Sequence, residues 1–117
     1  MSGNELDDGC VESLGKLIQN SQTIKNINIS INKITDKGIK ILHLYLIGNI
    51  TIKRFDIYNN KGITDKSVPL LKEIIYKSNI EDISIIGTSI TDENILVFLL
   101  VENILKNRSD KIYMSGR

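Results

Sequence analysis

Apolar residues fall along the chain in a pattern that repeats. Three triplets, Ile24/Ile27/Ile29, Ile52/Phe55/Ile57 and Ile80/Ile83/Ile85, stand in columns that step by 28 residues. Each ends in the apolar–polar alternation of a short strand with one buried face. Each is followed by an Ile-Thr-Asp turn, at residues 34–36, 63–65 and 90–92, and Leu6-Asp7-Asp8 fits the same frame. The column Asn4, Asn32, Asn60, Thr88 keeps the 28-residue step. Beyond each turn the apolar positions recur at helical spacing. A first column holds Val11, Ile39, Val68 and Ile95, a second Leu14, Leu42, Leu71 and Phe98, and a third Leu17, Tyr45, Ile74 and Val101. Spacings of three put these on one helical face, which is the inward one. The pattern predicts strands near residues 26–30, 54–58 and 82–86, and helices near 8–20, 36–47, 65–77 and 92–106.

The polar positions of the turn have a matching rationale. Asp8, Asp36, Asp65 and Asp92 stand where each helix begins. A carboxylate there can accept bonds from first-turn N–H groups and suits the positive helix end, for about 1 kcal/mol each. Capping is therefore the expected role of these four aspartates, ahead of catalysis.

The unit I/L-x-x-I/F-x-I-x-x-N/T, with its Ile-Thr-Asp helix start and 28-residue period, resembles a leucine-rich repeat of the ribonuclease-inhibitor-like subtype over about residues 4 to 115. The resemblance implies a right-handed α/β solenoid with a short parallel sheet on the concave side and helices on the convex side. It also implies that the Asn32 and Asn60 amides bond the backbone of neighbouring coils. Ile stands for most of the family's Leu, Thr88 takes the place of the third Asn, and Gly62 adds a residue after the second strand, where a bulge is expected. Residues 1–117 read as a single domain of about four repeats, the first incomplete. Lys111-Ile112-Tyr113-Met114 looks like a fourth short strand, with Asp110, Lys111 and Arg117 discouraging edge pairing, and residues 107–117 serve as a C-terminal cap.

Composition narrows the function classes. The 117 residues are 41% hydrophobic and 25% charged, as in one globular domain. Fifteen basic and fourteen acidic residues leave a charge of +1, so no global field draws nucleic acid or an anionic membrane. A single cysteine, Cys10, leaves no internal disulfide and no multi-cysteine metal site. The longest apolar run, Ile95 to Val101, is too short to span a bilayer, and the polar N-terminus has no signal-peptide core. A cytoplasmic or nuclear protein is the expectation.

Candidate chemistry is sparse. His43 is the one histidine, and a Cys10–His43 dyad lacks an orienting third group. Gly48-Asn49-Ile50 and Gly87-Thr88-Ser89 lack the spacing of a phosphate loop, and no HExxH, paired CxxC or EF-hand loop is present. The Asn28, Asn49 and Asn107 glycosylation triplets are chance matches in an Asn-rich chain. Lys53-Arg54 and the Lys106/Arg108 pair are interspersed with acids and read as solvated surface. No catalytic residue, cofactor or metal is expected.

What remains is the strand face that folding leaves open: Asn26, Asn28 and Ser30, then Arg54, Asp56 and Tyr58, then Asp82, Ser84 and Ile86, with Lys111 and Tyr113 from the last strand. Arg54 falls between Asn26 and Asp82, and Tyr58 beside Ile86. Arg and Tyr are residue types that anchor interfaces, although Arg54 can simply pair with Asp82. The expected function is a non-enzymatic protein-interaction module using this face. The short array resembles both substrate-recognition subunits of ubiquitin ligases and the actin-capping tropomodulins. The alternatives are an assembly subunit that uses its convex helices, a fragment of a longer repeat protein of either of those two kinds, and an enzyme with a Cys10 nucleophile. The run Leu96, Val97, Leu99, Leu100 exceeds what one inward face can bury, so it marks an interface, a cut solenoid end facing a further coil, or a surface covered by residues 107–117. The cap, and with it a monomer over a dimer, is the reading taken from sequence.

Overall fold

The computed structural model describes residues 7–30, 32–92 and 94–114, the last eight of these by their backbone alone. Four helices alternate with three strands: α1 (Asp8–Gln19), β1 (Asn26–Asn28), α2 (Asp36–Leu46), β2 (Arg54–Asp56), α3 (Val68–Lys77), β3 (Asp82–Ser84) and α4 (Asn94–Met114). A single 3-10 turn, Asp65–Ser67, leads into α3. The strands form an open parallel sheet in the order β1-β2-β3. Its register pairs Asn26 with Arg54 and Arg54 with Asp82, the 28-residue step of the sequence. The arrangement is compatible with a leucine-rich-repeat-like fold.

The core follows the expected columns closely in the first three coils. Ile27, Phe55 and Ile83 point from the strands, Ile29 and Ile57 follow them, and Val11, Ile39, Val68 and Ile95 meet them from the helices, all buried. Each fully buried aliphatic side chain contributes about 1.5–3 kcal/mol. The third helical column departs from the expectation. Ile74 is buried and Tyr45 half-buried, but Leu17 is 56% exposed and Val101 is exposed as well. The inward role passes to Ile18, Leu46 and Ile75, one position further on.

The aspartates act between coils rather than mainly as caps. The N-caps are Asp7, Thr35 and Thr64, whose extended backbone frees the side chain to accept from Gly9, Lys37 and Lys66 N–H groups. Asp8 accepts from the Thr35 N–H at 2.9 Å and from its hydroxyl. Asp36 accepts from the Thr64 N–H at 2.8 Å and its hydroxyl at 2.6 Å, and also from the Ser67 hydroxyl. Asp65 accepts from the Thr91 N–H at 2.7 Å, from the Thr91 hydroxyl and from the Asp92 N–H. Thr35 and Thr64 thus cap their own helical turns, and these two and Thr91 each donate to the aspartate one coil back. Asp92 alone matches the expected role, accepting from the Asn94 N–H at 3.0 Å.

These contacts set the charge state of two staples. Burial pushes the Asp36 carboxyl up, but bonds from Ser67 and Thr64 and the nearby Lys66 charge outweigh it and hold the group below the ordinary carboxylate value. Asp65 is held low by the Thr91 hydroxyl and by the Asp92 and Thr91 N–H groups.

The asparagine ladder is present at Asn60. Its amide donates to Ile29 O at 2.8 Å and Ile57 O at 3.0 Å, and its carbonyl accepts from the Ile34 N–H at 3.0 Å. Asn32 donates to Ile29 O and Ser30 O within its own turn. Thr88 donates to Ile85 O at 2.7 Å. Asn59 takes a positive φ of 61°, as Gly87 does at 81° one period on, so this left-handed residue belongs to the repeat and not to the extra residue of the second turn. Gly62 serves a different purpose, because a Cβ there would come within 2.7 Å of the Thr35 methyl carbon. It lets two turns approach closely.

The C-terminal end corrects two expectations. Residues 111–114 are helical, so the expected fourth strand at Lys111–Met114 is absent and α4 does not stop near residue 106. Nothing in Asn94–Met114 is a Gly or Pro, so the sequence supplies no stop signal. Over residues 107–114 the chain continues α4 instead of turning back over it. Residues 115–117 and the Asn4 position lie outside the described residues.

Candidate functional site

The open face of the sheet is built from alternate strand residues. In β2 the side chains of Arg54 and Asp56 share this face while Phe55 points into the core. Arg54 lies between two carboxylates: Nε donates to Asp56 Oδ2 at 2.9 Å and Nη1 to Asp82 Oδ2 at 2.9 Å. The Arg54 side chain is 50% exposed, Asp82 56% and Asp56 only 10%. The bond to Asp56, its charge and that of Asp82 raise the guanidinium above its already high pKa. Lys53 and Glu81 repeat the motif one residue earlier, 3.8 Å apart on neighbouring coils.

Two expected surface residues are buried. Ser30 is wholly inaccessible, its N–H and hydroxyl donating to Asn28 Oδ1. Asp56 sits under Arg54 between Asn28 and Ser84 of the neighbouring strands, and its Oδ1 finds no hydrogen-bond partner among the described residues. Asp56 is therefore a positioning group for Arg54, not a contact surface. Asn26, Asn28, Arg54 and Asp82 are exposed, Tyr58 and Ser84 half-buried, and Ile86 is 79% exposed. Lys111 and Tyr113 do not join this face, because they belong to α4. The coupling of Lys53 to Glu81 and of Arg54 to Asp82 was available in the sequence, since both pairs are separated by the repeat period.

Other candidate groups are engaged elsewhere. Cys10 is exposed, with its thiol 3.7 Å from Asp7 Oδ1. His43 Nε2 lies 2.8 Å from Glu73 Oε1, joining α2 to α3. Neither partner is the other. Among the described residues no group of three or more metal-ligating side chains converges, and no helix is long and apolar enough to cross a membrane. Beside β1 a groove of about 340 Å³ is lined by Leu14, Leu17, Ile18, Ile24, Ile27 and Ile29, with Asn26 and Asn28.

No protein-family model matches the chain, and no curated protein matches it. Among solved structures the chain is similar to leiomodin-1 actin-binding site 2, with 21% sequence identity and a TM-score of 0.72, over 98% of this chain and 68% of that one. The sheet order, the 28-residue register and this likeness together establish the fold: a mixed α/β chain with a short open parallel sheet and four helices, built as leiomodin-1 actin-binding site 2 is built.

Proposed function

We propose that the chain is a leucine-rich-repeat solenoid of the ribonuclease-inhibitor-like subtype that binds a protein partner through its strand face, without catalysis of its own. The observation that carries the proposal is the state of Arg54. Ion pairs to Asp56 and Asp82 hold its guanidinium in place on the open sheet while half of the side chain stays exposed. Two of its N–H groups are engaged in those pairs, out of the five that a guanidinium carries. A preorganised arginine loses little freedom on binding, and arginine is enriched among residues that dominate interfaces. Tyr58 and the exposed Ile86 supply aromatic and apolar surface along the same coils.

The likeness to an actin-binding site makes actin the first partner to test. Monomeric actin is assayed by gel filtration and filaments by co-sedimentation, with the intact chain, Arg54→Ala and Ile86→Ser. Saturable binding that weakens about tenfold or more in the variants supports the reading. Binding that survives both substitutions overturns the strand-face assignment. Absence of binding to either form of actin removes actin as the partner.

A further inference from the structure

Helix α4 packs with the opposite logic to the other helices. Ile95 and Leu99 are buried near its start, and Lys72 Nζ stands 5.7 Å from the ring centre of the half-buried Phe98. Further along, its contacts with the body are polar. Asn103 donates to Glu81 O at 2.8 Å, and Lys106 Nζ donates to Ile75 O at 2.8 Å and Ser78 O at 2.7 Å. These bonds set the rotation of the helix and turn Leu96, Val97, Leu100, Val101, Ile104 and Leu105 outward, each 44–61% exposed. The six recur as pairs four residues apart, which makes one continuous half of the helix surface. Glu102, the one charged residue between positions 96 and 105, is half-buried and lies outside the stripe. Six large side chains at this exposure form an apolar face on the order of 500 Å², near the top of the range for the largest patch on a monomer.

We propose that this stripe is a two-fold seam, with α4 of one copy packed antiparallel on α4 of a second copy. In a two-fold contact a patch meets itself, so it needs only to be self-complementary, and an uncharged aliphatic stripe is. Two such faces together bury about 1,000 Å², the lower bound for a specific interface. At the other end of the molecule the groove lined by Leu14, Leu17, Ile18, Ile24, Ile27 and Ile29 also holds Asn26 and Asn28 and adjoins a polar helix surface. The outer side of α1 exposes Glu12, Ser13, Lys16 and Gln19 beside the single apolar Leu17. Docking the stripe there in head-to-tail fashion would desolvate charges without partners. None of the strand-face residues takes part, so the seam and the proposed binding face stand or fall separately.

The centre of the stripe lies at Leu100 and Val101, so in an antiparallel seam Leu100 approaches its own counterpart. Sedimentation of the intact chain from micromolar to submillimolar concentration tests the proposal, together with Leu100→Glu and Leu100→Lys, whose folding is checked by circular dichroism. The expected result is a dimer that dissociates on dilution, at least a tenfold weakening in each variant, and dimers restored when the two variants are mixed. An intact chain that stays monomeric throughout, masses that climb beyond the dimer, variants that dimerise as well as the intact chain, or a mixture that remains monomeric would each overturn the two-fold seam.

Discussion

Helices α1 and α4 are the first and last of the described helices, yet they treat their apolar residues in opposite ways. In α1, Val11, Leu14, Gly15 and Ile18 face inward and the outer side is mostly polar. Tyr45 of α2 packs its ring where a Cβ on Gly15 would lie 2.2 Å away, and its hydroxyl bonds Glu12. That bond raises the Tyr45 pKa by favouring the protonated phenol. Close side-chain packing therefore orients α1. In α4 the orientation comes from Lys106 and Asn103 reaching backbone carbonyls at the end of α3 and before β3. Unmet carbonyls at a helix C-terminus are strong acceptors for an ammonium, and α4 satisfies them at the expense of leaving leucines outside. Which face of a helix is inward is decided by what the neighbour offers, and only usually is that an apolar surface.

Removing one large apolar side chain from each helix tests this contrast. Ile18→Ala in α1 removes a fully buried side chain and should cost about 2–5 kcal/mol of unfolding free energy. Leu100→Ala in α4, measured where the chain is monomeric, should stay within about 0.5 kcal/mol. Equal losses in chemical denaturation would show that the stripe is packed against the body. In the middle of the array, Asn60→Ala should cost about 1–3 kcal/mol by stranding Ile29 O, Ile57 O and the Ile34 N–H, with Thr88→Ala costing less because its hydroxyl donates to one carbonyl. Thermal melts of both variants should therefore rank in that order.

A subtler probe is Lys106→Met, which keeps the stem and removes the ammonium that anchors α4. A loss of about 1–2 kcal/mol is expected, with faster amide exchange in α4 and none in α1. Unchanged exchange in α4 would mean that its rotation does not depend on this anchor.

The smallest effect concerns the staples. Asp36 is held below the ordinary carboxylate value, so its ionised form is favoured in the folded state. Its contribution is therefore present above that ordinary value, near 4, and is lost as pH falls through it and towards the lower folded value. Partial exposure limits the effect to about 1 kcal/mol. The melting temperature of the intact chain should fall between about pH 5 and pH 3, and Asp36→Asn should flatten part of that slope.

How much of the site was readable depends on how far each property reaches through space. The pairing of Arg54 with Asp82 was legible because parallel coils put residues one period apart side by side. The burial of Asp56 and Ser30 was not, because alternation assigns a face without saying whether Arg54 or Asn28 covers it. The aspartates were placed correctly at the helix starts and given the wrong main partner. An oxygen at that point can bond its own helix or the next coil, and the choice depends on the distance to Thr35, Thr64 and Thr91, which no local pattern contains.

The sequence by itself determined the repeat period, the three strands, the order of elements and the first inward helical columns. Those properties are written in hydrophobic periodicity, because every coil must bury the same face in the same way. Only the tertiary structure decided the rotation of α4, the helical state of residues 111–114 and the role of the staples. Each of these rests on hydrogen bonds between groups about one repeat apart, or on a helix that no residue interrupts. At the end of a repeat array no further described coil covers the outer face, and the rule that apolar means inward loses the neighbour that enforces it.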